Sequence, residues 1–244
     1  MHVLQTLIFS LGMEISSVSA LPGPLSLVSA FSRISTELDS LSLGNCSYPH
    51  AVLPLNSTSV QLPNPSSGLT LKHIAIGRGT QNYTCENSTS AAVPVSIGAA
   101  ATLFDASCVA AKSMNLLHEM PAVIGSSPLG SLAFLAELLS HTTNSSNLIL
   151  GEHYFNTAGV PVLDLRLSGL SDWIVAAKTA SVDAPQYSST ADQNVAWLQL
   201  DRLYGSGIEE VYRVETYQGS APATCSGLNK TVIVQYAAEY WFYG

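Results

Sequence analysis

His153 and Glu239 are the two side chains whose type and setting most invite chemistry. His153 stands in Gly151-Glu152-His153-Tyr154-Phe155, a short aromatic run that reads as a strand, where an imidazole serves as ligand, acid or base. Glu239 stands in TVIVQYAAEYWFY (231–243), whose alternation places Val232, Val234, Tyr236, Ala238, Tyr240 and Phe242 on one face. Ile233, Gln235, Ala237, Glu239, Trp241 and Tyr243 fall on the other. Both faces are largely apolar or aromatic, so the segment reads as a central strand, and an acid within it needs a partner or a cavity. The sparing use of charge suggests that the two groups satisfy one another, which makes His153, Tyr154, Glu239 and Tyr240 the candidate ligand site. A purely structural alternative leaves His153 bonded to a backbone carbonyl or to Glu152.

Other chemistries find less support. G-x-S-x-G is absent, and Asp164, Asp172, Asp192, Asp201, Glu209, Glu210 and Glu239 offer carboxylates whose separation spacing does not disclose. The six histidines form neither HxH nor HExxH and no Cys-x-x-Cys occurs, so no metal site is expected. Gly77-Arg78-Gly79 resembles the start of a dinucleotide fingerprint but lacks the third glycine and leads into another strand. A tight hairpin turn is the expectation there, and no nucleotide cofactor. Trp173, Trp197 and Trp241, with Tyr236 and Tyr240, read as core ahead of a sugar-stacking platform.

The elements that must hold these residues are mainly strands. Runs at 69–76, 81–85, 93–106, 153–155, 160–167, 173–182, 195–204, 209–217 and 231–243 are β-branched or aromatic and are bounded by Gly, Pro, Asn or Ser. They predict an antiparallel β-sandwich or barrel with one or two short helices. One helix is expected over 128–141, with Ser127 as cap and Pro128 in its first turn, and an amphipathic stripe runs over 25–43. A Pro- and Ser-rich stretch over 44–68 reads as extended surface, so residues 21–68 precede a single β domain at 69–244.

Among 244 residues, 9 are Lys or Arg and 17 Asp or Glu, for a net charge of −8, and only 11% are charged. With 47% hydrophobic residues the chain can bury a sizeable core, and no basic run exists to meet nucleic acid or anionic membrane. An apolar leader ends at Val18-Ser19-Ala20, which suits signal-peptide cleavage after Ala20 and is too short for a membrane span. Sequons at Asn45, Asn56, Asn82, Asn87, Asn144 and Asn229 fit an exported glycoprotein. Cys46, Cys85, Cys108 and Cys225 read as two disulfides with three possible connectivities. Because residues 85 and 108 bracket a candidate hairpin, pairing Cys85 with Cys108 and Cys46 with Cys225 is expected.

Taken in order, LPNPSSGLTLKHIAIGRGTQNYTC, ATLFDASC, GEHYF, VAWLQL, VYRVETYQGSAPATCSG and YAAEYWFY resemble a family of secreted proteins. That family is abundant in filamentous fungi, has bacterial relatives, and is classified as a domain of unknown function. The resemblance covers about residues 60–244 and implies a secreted, largely β domain. Its signature positions here include Gly77, Gly79, Gln81, Asn82, Tyr83 and Cys85, then Phe104, Asp105 and Cys108, then His153 and Tyr154, and finally Tyr212, Arg213, Thr216, Cys225, Tyr236, Ala238, Tyr240 and Phe242, while Gln218-Gly219 departs from an expected pair of glycines. Some fungal members are labelled malate dehydrogenase, but this chain offers no nucleotide-binding βαβ unit to support such an activity. The expected function is extracellular or cell-wall binding of a glycan or another small molecule. The alternative is a secreted hydrolase using His153 with Asp164 or Glu239.

Overall fold

The computed structural model describes residues 46–47, 50–55, 61–133, 136, 148–185 and 193–244. Eight antiparallel strands run in sequence order: β1 (Leu71–Thr84), β2 (Val95–Asp105), β3 (Ile149–Phe155), β4 (Pro161–Asp164), β5 (Trp173–Val182), β6 (Trp197–Ser206), β7 (Glu210–Gln218) and β8 (Thr231–Tyr243). β8 pairs back onto β1, with Ala75 opposite Tyr240 and Gly77 opposite Ala238, and so closes a barrel without free edges. The mainly β expectation is met, in its barrel form.

Closure makes the strand period decisive, because alternate residues face the lumen or the outside. Ala75 of β1, Ala99, Ala101 and Leu103 of β2, Leu163 of β4, Ile174 and Ala176 of β5, Leu200 of β6 and Val211 of β7 pack inside. Tyr236, Ala238, Tyr240 and Phe242 of β8 join them, which is the face that alternation assigned to these residues. A second core lies outside the barrel, where Ile74, Ile76, Tyr212, Val214, Ala237 and Trp241 are covered by two helices and by Leu53, Leu55 and Leu62. From Tyr236 to Tyr243, β8 is thus buried on both faces.

The helices are α1 (Ser107–Lys112) and α2 (Met114–Gly125). Neither was expected from the sequence, since Pro121 interrupts a short apolar stretch. Ser113 nonetheless caps α2 by accepting from the Leu116 amide at 3.2 Å, and Leu116, Leu117, Val123 and Ile124 turn inward. Arg78 fastens the far end of α2. Its Nε donates to the carbonyls of Ile124 (3.1 Å) and Ser127 (3.3 Å), and its Nη1 to Gly79 O and Gln235 Oε1. Carbonyls left over at a helix C-terminus suit a cation. The helix expected over 128–141 is helical at 129–133, and its continuation lies largely outside the described residues, as does the whole stripe at 25–43.

Two expectations are corrected. Gly77-Arg78-Gly79 is no hairpin turn but the middle of a 14-residue strand. The glycines are needed for proximity: a Cβ on Gly77 would sit 2.5 Å from the Tyr240 ring, and one on Gly79 would sit 1.9 Å from the Ala100 carbonyl. The disulfides are Cys46–Cys108 and Cys85–Cys225, with Cα separations of 5.1 and 5.8 Å. Cys85 follows Thr84, which faces Val95 at one end of the β1–β2 ladder, whereas Cys108 lies beyond Asp105, which closes the other end. Eleven residues of β2 hold them apart by roughly 35 Å, at about 3.3 Å per residue.

Candidate functional site

The barrel is filled unevenly. Leu103, Leu163, Ile174, Val211 and Phe242 plug one end, while small residues on β1, β2 and β5 leave space toward the other. There a cavity of about 560 Å³ runs from Tyr83, Ser96, Lys178 and Ser181 inward past Gln81, Phe155, Leu198 and Arg213 to His153 and Tyr240.

Each polar group in this cavity has a structural origin. Gln81 is one step beyond Gly79 on the inner face of β1, and its Nε2 is buried without a hydrogen-bond partner. Arg213 follows Val211 on the inner face of β7 and pairs in register with Leu198 and Tyr240. Its Nη2 donates to the Ala196 carbonyl at 2.8 Å, while its Nε is buried and unpartnered. His153 comes from β3, opposite Ala101 and Leu163. Its Nδ1 lies 2.8 Å from Val162 O and must carry the proton, so the ring's Nε2 is an acceptor. Burial pushes the imidazole down to about 4, with the Arg213 charge adding to the effect, and the ring is neutral at physiological pH. The Tyr236 and Tyr240 hydroxyls meet at 2.8 Å behind it. Burial raises the pKa of both, and the Arg213 charge works against that rise.

The expected site is brought together in part. His153 and Tyr240 do meet, with ring centroids 5.9 Å apart, and Phe155 lies 5.6 Å from His153 on its other side. Tyr154 does not line this cavity but a second one of about 680 Å³, which His153 also lines, together with Arg78, Ser127 and Glu152, and where the Arg78 guanidinium is already engaged by α2. The expected pairing of His153 with Glu239 is overturned. Glu239 lies between Tyr240 and Ala238 and points out of the barrel, beneath α2. There Oε1 bonds His118 Nδ1 at 2.7 Å and Oε2 accepts from Trp241 Nε1 at 2.9 Å. The sheet stands between the two groups. Burial opposes protonation of His118, but the hydrogen bond and charge of Glu239 outweigh it and raise the histidine's pKa.

The other acids are engaged elsewhere. Asp164 holds Arg166 at 2.5 Å, Asp172 binds His73 at 2.9 Å and Lys72 at 3.0 Å, and Glu209 pairs with Arg202. Glu210 is bonded by Ser66 and Tyr212, and Asp201 accepts from Gln199. Asp192 lies outside the described residues. The aromatic side chains divide in the same way: Trp197 and Trp241 are in the outer core, Trp173 lies under Arg166 at 4.7 Å, and Tyr236 and Tyr240 face the lumen. They form no common platform. Among the described residues no group of three His, Cys, Asp or Glu side chains could hold a metal.

Gln81 and Arg213 were legible only as signature positions. The signal for Arg213 was its place in Val211-Tyr212-Arg213-Val214, an arginine in a run otherwise apolar on both faces. Of the sequons, Asn87 and Asn229 are exposed, whereas Asn82 lies within β1 with its Oδ1 buried and without a hydrogen-bond partner. Asn45, Asn56 and Asn144 are outside the described residues. No described helix is long and apolar enough to cross a membrane.

No curated protein and no solved structure matches the chain. A family described as a protein of unknown function, DUF3455, matches residues 65–244, a stretch that contains every strand of the barrel and its lumen, and the chain belongs to that family.

Proposed function

We propose that the protein is an exported glycoprotein that binds a small molecule in the open end of its barrel. The observation that carries this reading is the lumen cavity, about 560 Å³ in volume, in which two buried donors, Gln81 Nε2 and Arg213 Nε, have no partner among the described residues. Ligand sites are commonly apolar clefts of roughly 300–1,000 Å³ with a few placed polar groups, and eight strands leave room for one small ligand. A buried donor left unpaired costs about 1–3 kcal/mol, which a ligand acceptor would recover.

Binding is favoured over hydrolysis because no Asp or Glu lines the cavity among the described residues and His153 has given Nδ1 to a carbonyl. Export is supported by two disulfides, which persist in oxidising compartments, and by the exposed sequons at Asn87 and Asn229. On this reading a leader ending at Ala20 is removed.

The test uses N-phenyl-1-naphthylamine, a neutral apolar fluorophore. Saturable binding at one site, weakened at least tenfold by Ala99→Trp in the cavity wall, is the expected result. Binding that is unsaturable, or indifferent to that substitution, would contradict the reading. General-base chemistry at His118 has one observation in its favour, the carboxylate holding its Nδ1, but neither cavity described above includes it.

A further inference from the structure

The cavity lining has a charge balance opposite to that of the chain. Acids outnumber bases by 17 to 9 overall, yet the residues lining the lumen include Lys178 and Arg213 and, among those described, no carboxylate. Arg213 is only 9% exposed, and no carboxylate bonds it among the described residues, although the other acids with described contacts have found partners. A buried cation without a counter-ion is costly to keep and is unusual outside functional sites.

The hydrogen-bonding inventory leans the same way. Arg213 Nε and Gln81 Nε2 are both donors, both are buried, and both lack acceptors among the described residues. Two carbonyls near them are already taken, Val162 O by His153 and Ala196 O by Arg213, while His153 Nε2 remains an acceptor. Much of the remaining wall is apolar, with Ala99, Phe155, Ala176, Leu198 and Leu200, and its hydroxyls, those of Tyr83, Ser96, Ser181 and Tyr240, can donate as well as accept. A sugar could use those hydroxyls and His153 Nε2, but it leaves the Arg213 charge without a counter-ion. An anion brings acceptors alone.

Resting on the binding function above, we propose that the lumen ligand is an organic acid. It would carry an apolar or aromatic body with one carboxylate, sulfonate or phosphate group. The body lies against Leu198, Leu200 and Phe155. The anionic head accepts from Arg213 Nε and Gln81 Nε2, and Lys178 at the mouth draws the charge inward. A neutral glycan is the rival occupant, and it leaves the Arg213 charge unneutralised.

The test compares 8-anilinonaphthalene-1-sulfonate with N-phenyl-1-naphthylamine, which has the same aromatic body without the sulfonate. Arg213→Gln should weaken the sulfonate by about 10- to 100-fold, as loss of a charged hydrogen bond does, and the neutral probe by less than threefold. Arg213→Lys should restore part of the difference. Should Arg213→Gln fail to fold, judged by near-ultraviolet circular dichroism, Gln81→Met and the surface change Lys178→Gln carry the test. Each should weaken the sulfonate by roughly threefold or more and leave the neutral probe unchanged. Equal losses for both probes, or no loss for the sulfonate in any variant, would overturn the organic-acid assignment. So would displacement of the sulfonate by cellobiose or by N,N′-diacetylchitobiose. If both probes bind the unmodified protein and respond to Ala99→Trp, the binding function stands even when the acid assignment fails. If neither does, the binding function itself is lost.

Discussion

His153 and His118 show how one residue type acquires opposite behaviour from its surroundings. His153 is held neutral in the lumen by burial, down to about 4. The unfolded chain takes up the proton first as pH falls, so this residue's penalty on stability is absent above about pH 6.5 and grows as pH approaches 4. The full difference is roughly 3 kcal/mol for a drop of that size. Replacing it with phenylalanine should therefore flatten the stability profile between pH 6.5 and 4 relative to the unmodified protein, as measured by urea unfolding at each pH. A constant offset across that range would count against a buried neutral imidazole. His118 is raised by Glu239, and the stability it contributes is present below about pH 6.5 and is lost as pH rises through its elevated pKa. Glu239→Gln should cost about 1–2 kcal/mol at pH 6, less at pH 8, and should lower the His118 titration seen by NMR. Probe binding should be unchanged, because Glu239 faces α2 and not the lumen.

Strand alternation explains both what the sequence revealed and what it concealed. The two faces of β8 were readable because a period of two runs uninterrupted from Val232 to Tyr243, and the barrel sorts Tyr236 to Phe242 inward as that period requires. The same pattern in β1 was hidden because Gly77 and Gly79 carry no side chain to mark the inner face, and glycine pairs ordinarily signal turns. Their role depends on the Tyr240 ring and the Ala100 carbonyl, which are distant in sequence or on the partner strand. The pairing of His153 with Glu239 failed for a related reason. Charge economy says that a buried acid needs a partner but not on which face, and the partner came from α2, an element the sequence did not reveal. Gly79→Ala should destabilise the protein by more than about 3 kcal/mol or prevent folding, since a Cβ there meets backbone that cannot yield without opening the β1–β2 ladder. Gly130→Ala, where a Cβ meets nothing within 4 Å, should be neutral or stabilising by up to about 1 kcal/mol. Chemical denaturation of the two variants makes the comparison. A further local case is Gln218, which holds φ 59 where the family resemblance implies glycine.

At the scale of the molecule, two disulfides tie segments that the barrel ladder does not hold. Cys85–Cys225 joins residues 140 apart and anchors the loop after β7 beside the end of β1, and Cys46–Cys108 fixes an N-terminal stretch to α1. Replacing both Cys85 and Cys225 by alanine should cost about 3–5 kcal/mol by releasing so long a loop in the unfolded chain. Non-reducing peptide mapping should recover these two pairs. With the plugged end of the barrel and the outer core supplying stability, the open end is free to remain polar and unfilled, and the central claim is that this space is where a ligand resides. The most direct measurement is a crystal structure of the protein soaked with 8-anilinonaphthalene-1-sulfonate. The account predicts the aromatic rings between Leu198, Leu200 and Phe155, with the sulfonate on Arg213. An empty lumen, with the probe found only on outer surface such as that around Ile97 and Ile233, would contradict it.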